Sequence, residues 1–296
     1  MWIDRISPRG IPGRILAFAS LVIASVVAFH SQLRTLADLS FNDDRYTYVA
    51  VVPFATIGLL LLKRRELLAV SRYCLSFGLL LLGAGILIAR TAPAQNLSAA
   101  IAGIIIVWVS GFLLLFGPEA LWIARFPLVL LFLAIPVPVS AMERVTTFLQ
   151  NSSAYMSAIL FRAIRVPVLR QGLIFSLPGF DIQIAPQCSG IRSSISLVIA
   201  SGLAGYLFLR SSVRRLLLVF VTVPLVILKN AIRIVTLSTL ALYVNQGFLH
   251  GNLHHYGGLC FSVLDVAIVV PLLIQLHKSE TRPSIVTAGS ALQNVP

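Results

Sequence analysis

The sequence is poor in charge, in acidic residues and in cysteine. Only 11% of its 296 residues are charged and 58% are hydrophobic, whereas a soluble domain has about 25% charged residues. The chain is therefore predicted to be an all-α polytopic membrane protein, whose apolar side chains face lipid and neighbouring helices. It is also basic, with 23 Lys and Arg against 10 Asp and Glu. Because these basic residues form short clusters between apolar runs, we expect contact with membrane lipids and no nucleic-acid partner.

Three cysteines are too few and too dispersed for a disulfide framework or a zinc site. We therefore expect no metal site and no bound cofactor. Cys74 and Cys260 lie inside or beside apolar runs, where cysteine usually acts as a small inert hydrophobe. A membrane thiol oxidoreductase is disfavoured because the sequence has no C-x-x-C pair. Only Cys188 lies at a polar boundary.

Apolar runs bounded by polar or basic segments predict about eight transmembrane helices. They are expected near Ile15–His30, Tyr46–Leu62, Leu75–Ala89, Leu97–Phe116, Leu121–Val139, Gly190–Leu209, Leu216–Val244 and Tyr256–Leu276. The first run could be a signal peptide, but no clear cleavage site ends it and more spans follow. A tight turn is expected at Gly117-Pro118-Glu119, and prolines predict kinks in the fifth span. Residues 1–276 are predicted to form one integral-membrane domain, followed by a polar cytoplasmic tail at 277–296.

The longest region predicted to lie outside the bilayer runs from Met142 to Gln187. Its first part, Glu143 to Ile164, predicts an amphipathic helix at the membrane interface, with an apolar stripe at helical spacing: Phe148, Met156, Leu160 and Ile164. Its second part, Val166 to Pro186, consists of short β-prone runs separated by turn residues. That pattern predicts a small antiparallel hairpin or a three-stranded flap leading directly into Cys188.

The positive-inside rule places both termini in the cytoplasm of a cell with an inner (plasma) membrane. With eight spans, Cys188 then opens the sixth span at its outer, extracytoplasmic end. Arg233 lies roughly 26 Å along the seventh span, near the outer boundary of a core about 30 Å thick. His254 and His255 precede the eighth span on the same side. A thiol, a guanidinium and an imidazole are therefore expected to converge on one face.

Cys188 is expected at the start of a helix, among unpaired backbone N–H groups and at the positive end of the helix dipole. Both favour the nucleophilic thiolate. Arg192, four residues on, shares a helical face with Cys188 and adds positive charge. The alternative is that Cys188 is one more buried small residue.

Two cations and an amide interrupt the apolar seventh span. Arg233 is three residues after Asn230 and four residues after Lys229, so all three side chains can point to one side of the helix. Charges at bilayer depth are costly and normally face an interior site. The alternative is that Lys229 and Arg233 reach the headgroups or pair structurally.

Cysteine and histidine together suffice for thiol acyl transfer, and a guanidinium can stabilise the oxyanion. Either His254 or His255 could be the base. The main alternative from another class is a polytopic transporter, or a scaffold for polysaccharide or protein export, with Cys188 incidental. A transporter usually has charges near the midplane and internal repeats, and the sequence shows no repeat.

Three segments on successive predicted spans resemble the exosortase/archaeosortase family. They are Cys188-Ser189-Gly190-Ile191-Arg192-Ser193, Asn230-Ala231-Ile232-Arg233-Ile234 and Leu253-His254-His255-Tyr256-Gly257-Gly258. The resemblance covers mainly residues 187–261, and the five upstream spans only loosely. It implies a membrane cysteine transpeptidase that cleaves C-terminal sorting signals of exported proteins. Such a signal has a short motif such as Pro-Glu-Pro, a hydrophobic span and a basic end.

The resemblance also implies residue roles. Cys188 is the nucleophile, Arg233 stabilises the oxyanion or the substrate carbonyl, and His254 is the general base, with His255 the second choice. Arg192 and Asn230 lie in the matching segments and support the site. Lys229, which can point to the same side of the helix as Arg233, is expected to support it as well. The partners implied are exported proteins with a sorting signal and an acceptor nucleophile of unknown identity.

Overall fold

A computed structural model describes residues 11–70, 73–93, 95–185, 190–245, 247 and 252–281, with the side chains of residues 11, 252–260, 262 and 281 left out. The chain divides into two compact units, Met1–Met142 and Glu143–Pro296. Whether residues 1–276 act as one domain stays a prediction.

The first unit is helical throughout its regular structure. Its helices are α1 Ile11–Ala28, α2 His30–Asn42, α3 Thr47–Leu62, α4 Arg64–Ala69, α5 Leu75–Thr91, α6 Leu97–Ile123 and α7 Arg125–Leu131. Short 3-10 helices occupy Asp44–Tyr46 and Phe132–Ala134. The polar segment after the first predicted span is therefore helical as far as Asn42.

Backbone contact holds α5 against α6. A Cβ atom added to Gly103 would lie 2.5 Å from the Ala89 amide nitrogen and 2.8 Å from the Gly85 carbonyl oxygen. Only glycine lets the two helices approach so closely, and small residues are the usual contact between helices in a membrane. On the other side of α6, Phe112 and Phe116 pack against Phe18 of α1 with ring centroids 5.9 and 6.0 Å apart.

Helix α6 breaks at Gly117, where φ is 84° and ψ is 176°. Pro118 follows and cannot donate to the preceding turn, so two helical stretches meet at a kink where the sequence predicts a tight turn. The predicted fifth span is also interrupted. Residues 135–138, between Arg125–Ala134 and Val139–Ala163, are not helical, consistent with the kinks that the prolines predict.

Four helical stretches in the part of the chain that the structure describes are long and apolar enough to cross a membrane: Asp44–Leu62, Leu97–Ile123, Ile191–Phe208 and Ser212–Tyr243. Two bent pairs raise the number to as many as six, and Leu75–Thr91 is a shorter apolar helix. The predicted count of eight is not confirmed. Apolar composition indicates where a chain can enter lipid, but it does not show where a helix bends.

The second unit combines long helices with a small sheet. Its elements are α8 Val139–Ala163, which begins in the first unit, β1 Leu169–Gln171, β2 Ile174–Leu177, β3 Phe180–Gln183, α9 Ile191–Phe208, α10 Ser212–Tyr243 and α11 Asn252–Thr281. The strands form an antiparallel sheet in the order β1-β2-β3. Gly172 and Gly179, with φ of 62° and 95°, make the two turns that the sequence predicts. The structure thus has a small three-stranded sheet in this region, and its role as a flap leading into Cys188 stays a prediction.

One apolar cluster joins the sheet to α8 and α10. Phe175 of β2 is fully buried and lies 5.7 Å, centroid to centroid, from the ring of Phe161 of α8. Ile234 and Val235 of α10 belong to the same cluster.

The helix predicted at Glu143–Ile164 is present as α8. Two residues of its apolar stripe face outward, since Phe148 is 57% exposed and Ile164 is 49% exposed, whereas Leu160 packs against the apolar cluster of the sheet. The buried residues of α8 include Thr146, Gln150, Ser153 and Ser157. In lipid, the polar face of a helix turns toward the protein interior and the apolar face turns out.

Candidate functional site

The proposed nucleophile, Cys188, lies in residues 186–189, outside the described part of the chain, but both flanks of that segment are described. On the near side, Ile184 continues β3. Its amide donates to the Leu173 carbonyl at 3.0 Å, and its carbonyl accepts from Gln150 Nε2 of α8 at 2.9 Å. The Ile184 side chain is 2% exposed. The chain is thus fixed four residues before Cys188.

On the far side, Gly190 precedes the first turn of α9. Its carbonyl accepts from the Ser194 amide at 2.9 Å, from Ser193 Oγ at 2.9 Å and from Ser194 Oγ at 2.7 Å. Its φ of 70° is left-handed, and a Cβ there would lie 3.4 Å from Asn230 Oδ1 of α10. Glycine therefore suits both the backbone conformation and the close approach. The chain is fixed against α10 two residues after Cys188.

Asn230 and Lys229 connect α10 to three other helices. Asn230 is 1% exposed and donates through Nδ2 to Ser153 Oγ of α8 at 3.0 Å. Lys229 is 4% exposed and donates to Ser193 Oγ of α9 and to Asp265 Oδ2 of α11, both at 2.8 Å. Two adjacent residues thus join α8, α9, α10 and α11. The structure places Lys229 in a buried ion pair and not at the headgroups.

Asp265 is the member of this group that sequence reasoning missed. It is 2% exposed, and its Oδ1 atom has no hydrogen-bond partner among the described residues. The available signal was a single acidic residue within the apolar eighth span, which is costly without a partner. Because Lys229 and Asp265 are 36 residues apart, no local spacing joins them.

Arg233 lies one turn beyond Asn230 on α10 and is partly buried. The next two residues, Ile234 and Val235, pack in the cluster that holds the sheet. Arg192 is exposed in the first turn of α9. His254 and His255 lie in the first turn of α11, where the backbone is helical and the side chains are not described.

The structure therefore brings Lys229 and Asn230 to the start of α9, next to the segment of Cys188. It gives no distance between the thiol, the guanidinium and an imidazole, so the catalytic assignments stay predictions. Among the described side chains, no group of three or more His, Cys, Asp or Glu residues could hold a metal ion.

Comparison with known proteins gives one family. No curated protein and no solved structure matches the chain. The family described as transmembrane exosortase matches residues 38–271. This range covers most of the chain and includes every residue of the candidate site, so the chain belongs to the transmembrane exosortase family.

Proposed function

We propose that the protein is a membrane cysteine transpeptidase that cleaves C-terminal sorting signals of exported proteins at the extracytoplasmic face. The observation that best supports this is the close approach of Gly190 to Asn230, whose Oδ1 atom would lie 3.4 Å from a Cβ atom at position 190. It ties the segment of Cys188 to α10, one helical turn or about 5 Å from Arg233 along the helix axis. Membership of the transmembrane exosortase family supports the same conclusion.

The chemistry follows thiol acyl transfer. His254, or His255 as the second choice, takes the proton of the Cys188 thiol, and the thiolate attacks the carbonyl carbon of the scissile amide. Arg233 stabilises the oxyanion of the tetrahedral intermediate. The C–N bond then breaks, the histidine returns its proton to the leaving amine, and a thioester remains on Cys188. Water or an amine of an acceptor attacks this thioester and releases the protein.

The proposed position of the site, at the extracytoplasmic face of the membrane, suits a substrate that is anchored in the same membrane. A sorting signal with its own hydrophobic span would lie in the same bilayer, with its short motif just outside it. The site would then lie at the outer end of α9, with both termini of the enzyme in the cytoplasm.

A transporter or an export scaffold is the second candidate. The observation that favours it is the buried pair of Lys229 and Asp265, because paired charges inside a helix bundle often mark ion or substrate pathways. In that case Cys188 is incidental and its replacement leaves function intact.

Replacement of Cys188 separates the two candidates. In cells that co-express a substrate with a Pro-Glu-Pro-type signal, Cys188→Ala should leave the precursor uncleaved, with a loss of more than about 1000-fold. Cys74→Ala is the matched control, since Cys74 is a thiol of the first unit, and should cleave normally. Equal processing by wild type and Cys188→Ala would refute the transpeptidase.

Single replacements of the other groups assign their roles. Arg233→Ala should lower the rate by about 100- to 1000-fold, the usual effect of losing an oxyanion donor. His254→Ala and His255→Ala, assayed separately, should differ, with the larger loss identifying the base. Equal, small losses for both would remove histidine from the mechanism.

A further inference from the structure

Strand β3 forms one edge of the sheet. It pairs with β2 on one side, and no other described strand pairs with it. An edge strand presents a row of unpaired N–H and C=O groups. In an antiparallel ladder, every second residue of a strand points its backbone groups toward the partner strand, and the residues between them point away. This alternation determines which residues of β3 present unpaired groups.

One hydrogen bond fixes this alternation. The Ile184 amide donates to the Leu173 carbonyl at 3.0 Å, so the backbone groups of residue 184 point toward β2. By the same register, the backbone groups of Phe180 and Ile182 also point toward β2, where Leu177 and Phe175 lie opposite them. The N–H and C=O groups of Asp181 and Gln183 therefore point away from the sheet. We call these four groups the outer edge of β3.

The outer edge is accessible and close to the candidate site. The side chains of Asp181 and Gln183 are exposed, and Gln183 is five residues before Cys188 in the chain. On the core face of the same strand, Phe180 and Ile182 pack against the cluster that contains Ile234, the residue after Arg233. The strand thus connects directly to the segment of the proposed nucleophile and packs beside the helix of the proposed guanidinium.

We infer that the outer edge of β3 binds an extended segment of the substrate, next to the scissile amide, as a fourth antiparallel or parallel strand. Two residues that each offer a donor and an acceptor, about 7 Å apart, match the repeat of another extended backbone. A helical segment has no free backbone groups to offer. Main-chain hydrogen bonds then give affinity, and alternate side chains of the peptide give specificity. This inference rests on the proposed function.

A proline scan of the two sheet edges tests the inference. Proline removes an N–H and is tolerated in a strand where that N–H faces away from the ladder. Asp181→Pro and Gln183→Pro should therefore keep the fold and lower kcat/KM about 2- to 10-fold each, mainly through KM. Arg170→Pro is the matched control at the opposite edge of the sheet, on β1. Arg170 lies opposite Phe175, whose backbone groups point toward β3, so the backbone groups of Arg170 point away from β2. Equal effects at both edges would overturn the inference.

A second experiment keeps the enzyme backbone unchanged. Synthetic peptides that contain a Pro-Glu-Pro motif and its flanking residues are N-methylated at one non-proline position at a time. Their affinity is measured on detergent-solubilised Cys188→Ala protein. Strand addition predicts loss of affinity at every second position, since only alternate amides face β3. In such a strand both prolines of the motif have the same orientation. Both can therefore face away from β3, where no N–H group is needed.

The outcomes separate this inference from the proposed function. If peptide affinity falls at every second N-methylated position but the wild type cleaves no substrate, binding at the outer edge of β3 is supported and the transpeptidase chemistry is refuted. Cleavage with a flat N-methylation profile, or with one that follows side-chain identity alone, would overturn strand addition and keep the chemistry. Absence of binding by every peptide would overturn strand addition as well.

Discussion

The two units of the chain each bury a cation, and they stabilise it differently. In the first unit, Arg14 is 2% exposed and donates through Nη1 to the Leu115 carbonyl at 2.9 Å. Its guanidinium lies 3.9 Å from the centre of the Tyr73 ring. Nε and Nη2 have no hydrogen-bond partner among the described residues. In the second unit, Lys229 pairs with the Asp265 carboxylate.

The same difference extends to the other polar contacts. In the first unit, the Asp43–Arg45 ion pair joins residues two positions apart, and Tyr46 donates to the Val137 carbonyl. In the second unit, Glu280 of α11 accepts from the backbone amides of Arg210 and Ser211 at the start of α10. Carboxylates of the second unit thus join helices that are remote in the chain. We conclude that carboxylates join separate helices in the second unit, whereas the Asp43–Arg45 ion pair of the first unit is local.

The largest expected effect comes from removing the carboxylate of the buried pair. Asp265→Ala leaves the Lys229 ammonium without its counter-charge and should cost about 3–5 kcal/mol in the free energy of unfolding. The matched control is the double variant Lys229→Met with Asp265→Leu, which removes both charges and should recover most of that loss. Equilibrium unfolding in detergent micelles measures both. A cost below about 1 kcal/mol for Asp265→Ala would show that the pair does not stabilise the second unit.

The next effect tests close packing in the first unit. Gly103→Ala would place a methyl group 2.5 Å from the Ala89 amide nitrogen and should cost about 1–3 kcal/mol in the same assay. Gly83→Ala is the control on α5, since a Cβ there meets no atom within 4 Å. It should stabilise the unit by about 0.5–1 kcal/mol through helix propensity. Equal effects of the two substitutions would contradict backbone contact between α5 and α6.

Local features of the fold could be predicted from the sequence. The span predicted at Gly190–Leu209 is α9 Ile191–Phe208, because Gly190 and the basic segment after it mark both ends. The turns of the sheet follow from Gly172 and Gly179, where positive φ requires glycine. Each of these features depends on residues within a few positions of one another.

Features that depend on distant contacts could not be predicted. The partner of Lys229 is on another helix, and the buried face of α8 carries serines and a glutamine that the apolar stripe did not indicate. Arg14, one of the basic residues near the N-terminus, is buried against α6. The family resemblance indicated the site segments, but the ties from Lys229 and Asn230 to neighbouring helices required the structure.

A smaller effect distinguishes the two buried cations directly. Arg14→Met loses one hydrogen bond to a carbonyl and the contact with Tyr73, but it also removes two buried N–H groups that have no described partner. These contributions oppose each other, so the free energy of unfolding should change by no more than about 1 kcal/mol. Lys229→Met, which leaves Asp265 buried without its cation, is the matched comparison and should cost several kcal/mol. A comparable cost for Arg14→Met would mean that the first unit also supplies an anionic partner.

The smallest effect concerns the carboxylate that caps α10 from α11. Backbone hydrogen bonds from Arg210 and Ser211, and then the charge of Arg214, lower the pKa of Glu280 below its ordinary value of 4.5. A carboxyl whose pKa is lower in the folded state stabilises the fold above its unfolded pKa, and this contribution disappears as the pH falls through the folded pKa. The Tm difference between wild type and Glu280→Gln should therefore be positive near neutral pH and shrink below about pH 4.5. Because two hydrogen bonds are the main cause of the lowered pKa, the Tm difference should be small, and the part that depends on the charge of Arg214 should weaken in high salt. A Tm difference that stays constant from about pH 7 to pH 3 would show that hydrogen-bond geometry alone, and not charge, joins the two helices.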